Sequence, residues 1–363
     1  MNKQLFLPIG AATQASPPPR SHSIPHPLRR RICAPLLLAP LLLAVSSAVQ
    51  AEDFNYTTNN GAITITGYNG CDGAVTIPST INGLPVISIG DQAFYGATSL
   101  TNITIPSGVT SIGRWAFWSC TSLTSVAIPN SVTNIWDWAF WACSSLTNVT
   151  LGTSLSGIGS GAFQSCSSLI SITIPNGVTT VGDWAFANCA SLTSVNIGNG
   201  LSSVGNHAFF SCTSLTRVAL PGSVTSIGDL AFYNCTSLTG AYFQGNAPSI
   251  GSPLFNAGDK TIVYYLPGTA GWGPTFGGRP TALWSLPNPL ILNNGPDFGV
   301  QTNRFGFTIS WATNIPVVVE ACTNLATSPW SPVATNTLSA GSSYFSDPRW
   351  TNFPRRFYRL RGP

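Results

Sequence analysis

The chain has 363 residues and a formal net charge of +4, yet only 7% of its residues are charged. The charge is unevenly held: residues 1–51 carry five basic residues and no acid, residues 52–285 carry four basic against eight acidic, and residues 286–363 carry six against three. No basic stripe crosses the central region, which excludes a nucleic-acid partner, and a strictly periodic apolar pattern excludes a disordered chain despite the wealth of Ser, Thr, Asn and Gly.

At the amino end, Arg29, Arg30 and Arg31 precede the apolar run from Ala34 to Val45, and Val49-Gln50-Ala51 follows. This is the order of a signal peptide: a basic region, an apolar stretch and small residues at a cleavage site. Residues 1–51 are assigned that role, with cleavage after Ala51. The run is shorter than the roughly 20 residues a membrane helix requires, so no integral span is expected once it is removed. The expected location is secreted or at a bacterial cell surface.

Next comes a cap. The stretch Ala62-Ile-Thr-Ile-Thr66 alternates like a strand, and Val75-Thr-Ile-Pro78 follows it. Pro78 and Pro106 are 28 residues apart, five more than the period that follows, which places an insertion around Asn82-Gly-Leu-Pro-Val86.

From there the chain repeats. Phe94, Phe117, Phe140, Phe163, Phe186, Phe209, Phe232 and Phe255 lie 23 residues apart without a slip, and Leu100 to Leu238 and Cys120 to Cys235 keep the same step. A repeat of this regularity and length specifies a solenoid, whose units bury their apolar sides only by stacking on one another. Within one unit, Leu123, Val126 and Ile128 fit the L-x-x-L-x-L pattern of a short parallel strand. Pro129 then ends the strand, because it has no N–H to give to a ladder. A glycine column follows (Gly90, Gly113, Gly159, Gly182, Gly205, Gly228, Gly251), broken by Trp136. After it, the Ala-Phe segment is expected to form a short helical turn, with Asp91, Asp137, Asp183 and Asp229 as its N-caps. Arg114 is expected to bridge Asp91 and Asp137 on the surface.

The units, I-G-x-x-A-F-x-x-C-x-S-L-T-x-V-x-I-P-x-x-V, resemble those of the BspA-type leucine-rich repeat family of bacterial surface and secreted proteins. The likeness spans about residues 63–265. It implies an α/β leucine-rich-repeat solenoid with 23-residue units, an extracellular binding scaffold, and no catalytic residues to carry over. On this reading residues 52–285 form the solenoid with its end caps, closed by a strand at Thr261-Ile-Val-Tyr-Tyr-Leu266.

Residues 286–297 are rich in Pro and Asn and are expected to be a linker. Residues 298–363 lose the period. Phe305 to Trp311 and Val317 to Ala321 read as strands, and the whole as a small all-β module, sandwich-like, resembling C-terminal modules of secreted Verrucomicrobia-like proteins. Arg349, Arg355, Arg356, Arg359 and Arg361 gather near its end; they fit either contact with anionic polymers or one edge strand with outward arginines.

Candidate chemistry is sparse. His207 is the one histidine after residue 51 and has no fixed acid or nucleophile beside it, so no catalytic residue is assigned. Cysteines at steps of 23 do not resemble metal-ligand pairs, so no metal or cofactor is assigned either. They fit a buried ladder of thiols, with disulfides between adjacent coils as the other reading. The tryptophans are the functional candidates: Trp115, Trp138 and Trp184 share one repeat position, Trp118 and Trp141 another, and Trp136 stands beside them. Flat indole faces suit sugar rings or partner proteins, although the same rings could simply pack on one another. The outward strand positions, such as Asn148, Thr150, Thr173 and Asn196, form an uncharged face of hydroxyls and amides expected to be flat. The sequence reading is therefore a non-enzymatic binding or adhesion protein that presents its repeats to an extracellular protein or glycan. The alternative is a structural component of an envelope or matrix that associates with itself.

Overall fold

A computed structural model describes residues 53–362, apart from 72, 257–258, 285–289, 293–297, 302–303, 312–315, 326–328 and 339–341. The assigned signal peptide and most of the expected linker therefore lie outside the described residues. Residues 290–292 do not behave as linker: Leu290–Leu292 pairs antiparallel with Arg304–Ser310 and belongs to the last sheet group.

The repeats wind into a solenoid with two parallel sheets. A front sheet runs from Ala74–Thr76 through Asn102–Thr104, Ser125–Ala127, Asn148–Thr150, Ser171–Ile174, Ser194–Ile197, Arg217–Leu220 and Gly240–Phe243 to Ile262–Tyr265 and Arg279–Leu283. A back sheet collects the two-residue strands, such as Ser111–Ile112, Asn134–Ile135 and Gly157–Ile158, and ends at Ser249–Ile250. The pairing register is the repeat itself: Asn148 sits beside Ser125, and Ile158 beside Val181, each 23 residues away. Between the sheets the seven phenylalanines from Phe94 to Phe232 are almost fully buried and stack ring on ring, 4.9–5.4 Å between centroids.

The third side of the coils, expected as a helical turn, contains no α-helix among the described residues. It is an arc in which amides alternate between two kinds of partner. In residues 115–120, Trp115, Phe117 and Ser119 donate forward to Asp137, Ala139 and Trp141 of the next coil, while Trp118 and Cys120 donate back three residues to Trp115 and Phe117. A helix would keep all of these bonds inside one coil. The arc instead needs left-handed backbone at two places per coil: Trp115 (φ 53°) and Ser119 (φ 55°), then Trp138 (φ 55°) and Ala142 (φ 56°), and onward.

The acidic residues are caps of a different kind for the same reason. Asp91, Asp137, Asp183 and Asp229 each accept, through Oδ1, the N–H of the residue 23 positions on: Arg114, Ser160, Asn206 and Ser252. Asn206 does likewise for Asp229. Replacing Asp183 by alanine is expected to cost about 1 kcal/mol in urea unfolding, the usual net worth of such a bond. Asn at position 183 should cost little, since Asn206 already performs that role. An equal loss for both variants would refute the capping account.

The cysteine column is a row of buried thiols. Each Sγ donates to the carbonyl of the phenylalanine 26 residues earlier, Cys143 to Phe117 and Cys166 to Phe140 among them, at 3.2 Å. The thiols thus point along the stack and satisfy carbonyls of the preceding coil.

Hairpins cap the amino end. Phe54–Asn59 and Ala62–Tyr68 pair antiparallel around Asn60-Gly61, and Thr80–Ile81 and Leu84–Ile89 around Asn82-Gly83. All four turn residues have positive φ, as a type I′ hairpin requires. At the other end Trp272 and Phe276 pack against Phe243. The last sheet group has two antiparallel sheets around Phe307, Ile309, Val317, Val319, Leu338 and Phe345.

Candidate functional site

Five of the six candidate tryptophans lie on the arc side, at two positions per coil. Trp115 and Trp138 stack at 5.7 Å with planes 7° apart. Trp118 stacks on Trp141 at 3.9 Å and on Tyr95 at 5.8 Å. A second run begins with Trp184, which lies flat on His207 at 3.8 Å, and continues through Phe210 to Tyr233. The two ribbons are separated by one coil, where Gly161 and Gln164 take the ring positions. Gly161 has φ 59°, and an added Cβ there would lie 2.4 Å from Cδ1 of Trp138, so that indole reaches across the gap.

These rings are partly buried rather than projecting; Tyr95 is the most open at 43%. Their mutual packing therefore accounts for part of each. The backbone does not favour them, however. Trp115, Trp138, Trp184 and His207 occupy left-handed positions, where a bulky side chain costs about 1–2 kcal/mol and glycine does not.

Trp136 stands apart. It follows the strand Asn134–Ile135 in the middle of the back sheet, is 47% exposed, and stacks on neither ribbon. Its contact is Arg114, whose guanidinium carbon is 5.8 Å from the ring centroid, and Arg114 pairs with Asp137 at 3.6 Å. Asp91 meets Arg114 through the backbone N–H, so the expected three-member ladder of side chains reduces to one ion pair.

His207 is half buried against Trp184. Burial lowers its pKa below the ordinary histidine value, partly offset by Asp183 and Asp229. Among the described residues no group of three His, Cys, Asp or Glu is placed to hold a metal, and no helix is long and apolar enough to cross a membrane.

The front sheet is hollowed rather than flat. An open groove of about 680 Å³ crosses its middle coils, lined by Asn148, Thr150, Ser171, Thr173, Asn176, Asn196 and Asn199, with no charged side chain at its wall. The terminal arginines are largely engaged internally. Arg356 pairs with Asp347 at 2.9 Å, and Arg359 and Arg361 both donate to buried Glu320, whose carboxyl they hold below its usual pKa.

The architecture defines a leucine-rich-repeat β-solenoid. Residues 73–190 and 157–266 match the family described as the BspA type leucine rich repeat region, in six copies, and the chain belongs to that family. Among solved structures it is similar to a leucine rich repeat protein of T. pallidum, with 31% identity over 59% of this chain and 85% of that one and a TM-score of 0.42. It is also similar to a leucine-rich repeat protein from Bacteroides ovatus (28%, 58% and 69%, 0.42) and to a leucine rich cell surface protein from Faecalibacterium prausnitzii (26%, 59% and 75%, 0.46). No curated protein matches it.

Proposed function

We propose that the chain is an exported, non-enzymatic binding scaffold, secreted or held at the bacterial surface, which presents its arc to a protein or glycan. Family membership supports the setting, since BspA-type repeat proteins are typically surface or secreted. The observation that carries the reading is the first aromatic ribbon. Tyr95, Trp115, Trp118, Trp138 and Trp141 form two parallel stacks over three coils, and two of these tryptophans hold left-handed backbone that the fold would fill more cheaply with glycine. Rings that the repeat does not require, kept at a conformational cost, are accounted for by a ligand that uses their faces. The C-terminal module, on this proposal, assists attachment.

The test is capture from cell-surface and polysaccharide extracts, followed by direct titration of the captured species. The double variant Trp118→Ala/Trp141→Ala should weaken binding by about tenfold or more, as expected for aromatic anchors. Unchanged affinity would remove the ribbon as the binding surface. Self-association in an envelope or matrix is the second reading, favoured by the strand Ser249–Ile250, which ends the back sheet with no strand beyond it among the described residues. It would show as concentration-dependent assembly with no response to any ligand.

A further inference from the structure

We propose that Trp136, Arg114 and Asp91 form a subsite for one ring of a neutral sugar, separate from the aromatic ribbons. The inference rests on the scaffold reading above but not on its choice of surface. Two departures from the repeat fall on adjoining coils. Seven coils carry glycine where this one carries Trp136, and at the next position Arg114 is the single cation in a column otherwise made of Asp, Asn and Ser. Their side chains meet. Together with Ser88, Asp91, Ser111 and the glycines Gly90 and Gly113 they line an open cavity of about 320 Å³. That volume lies at the small end of the range for ligand pockets and suits a single ring.

Trp136 is not there for the fold. A Cβ at Gly113, Gly182 or Gly205 would lie 2.6–2.7 Å from the backbone of the preceding coil, so a side chain in this column wedges two coils apart. The bonds around this coil are slightly longer than those at the glycine coils. The back-sheet bonds from Trp136 to Ile112 and from Gly159 to Ile135 are 3.0 Å, against 2.8 Å for those from Gly113, Gly182, Gly205, Gly228 and Gly251. The arc bond from Trp115 to Asp137 is 3.2 Å, against 2.7–2.9 Å for those from Gln92, Trp138, Gly161, Trp184 and His207. In a column that is otherwise glycine, this coil holds an indole that is half exposed.

The chemistry of the walls selects the ligand. An indole face takes the C–H face of a pyranose. Asp91 and the two serines, whose Oγ atoms are 2.9 Å apart, accept or exchange hydrogen bonds with hydroxyls. Arg114 uses Nε in its ion pair with Asp137 and is half exposed, which leaves its terminal nitrogens for ring or hydroxyl oxygens. Two carboxylates, Asp91 and Asp137, outnumber the one cation, so the site disfavours anionic sugars and phosphates. Its polar rim disfavours a purely apolar ligand.

The test uses the exported chain against a panel of neutral polysaccharides (α- and β-glucans, mannan, xylan and galactan) by affinity electrophoresis, with titration calorimetry on oligosaccharides of any that bind. Trp136→Gly restores the residue of the other coils, so it should melt no lower than wild type while binding about tenfold more weakly. Arg114→Ser, the residue at that position in two other coils, should weaken binding severalfold and leave melting unchanged. Absence of binding across the panel, or wild-type affinity in Trp136→Gly, would overturn the subsite. Capture of an extracellular protein that survives Trp136→Gly but is lost in Trp118→Ala/Trp141→Ala would also overturn it, while leaving the scaffold reading in place.

Discussion

Replacing Phe163 by alanine should lower the unfolding free energy by about 3–5 kcal/mol, the range for emptying a fully buried aromatic position. Phe163 has no exposed surface and is stacked on both faces, 5.2 Å from Phe140 and 5.4 Å from Phe186. Truncation removes its own burial and one partner from each neighbour. The surroundings cannot close in, because the coils above and below are held at strand spacing by both sheets and by the arc bonds. Phe255, at the end of the row and 6.1 Å from Phe232, has a stacked ring partner on one side only among the described residues, so Phe255→Ala should cost distinctly less. Urea unfolding of the two variants measures the difference. Equal losses, or a loss below about 1 kcal/mol at Phe163, would contradict a continuous stacked core.

The second large effect is alkaline unfolding. Burial pushes the thiols of Cys143, Cys189 and Cys212 well above the ordinary value of 9.0, raises Cys166, and brings Cys235 up to about 12. In the unfolded chain these thiols ionise near 9.0, while in the solenoid they keep their protons. Above pH 9 the unfolded state therefore binds fewer protons, and stability falls as pH rises. The contribution is present in full below pH 9 and is lost on the way to the folded values. For Cys235 alone, three units correspond to about 4 kcal/mol. Urea midpoints between pH 7 and 10.5 should hold steady and then drop steeply, with a shallower drop in Cys235→Ala. A midpoint that ignores pH across that range would show that the thiols are not held in a dry stack. The same burial should protect the column from alkylation in the native protein and expose it in denaturant.

Much of this fold was legible because the repeat carries its own phase. Phenylalanine, leucine, cysteine and glycine columns at a step of 23 determine which residues stack, and the strand register follows from that alone. The arc was not legible, and the reason is local. Asp, Trp, Ala and Phe in that order look like a capped helix start, and bonds back over three residues do occur there. What excludes a helix is that alternate amides leave the coil for carbonyls on the next one, and that requires left-handed residues where the sequence mostly shows Gln, Trp, His or Leu instead of glycine. Gly161 and Gly96 were the available hints. The hairpin turns at Asn60-Gly61 and Asn82-Gly83 are carried by the Asn-Gly pairs themselves, which accept the positive φ of a type I′ turn. The candidate site was half legible. Trp136 stood out by breaking the glycine column, but position in the sequence grouped it with the other tryptophans. Its exposure and its pairing with Arg114 set it apart, and those depend on which way a Cβ points from the back sheet.

Because bonds between coils join like positions one repeat apart, the scaffold counts in whole coils and is indifferent to how many there are. Gain or loss of 23 residues at a time should leave every donor facing an acceptor; coils of other lengths occur only toward the two ends, where Ala74 pairs with Asn102 and Gly240 with Ile262. Excision of residues 147–169 would bring Trp138 directly onto Trp184 and merge the two columns that Gly161 now separates. Copy number would then set the length of a recognition surface independently of the stability of any one coil, and recombination between copies could resize that surface without inventing a new residue.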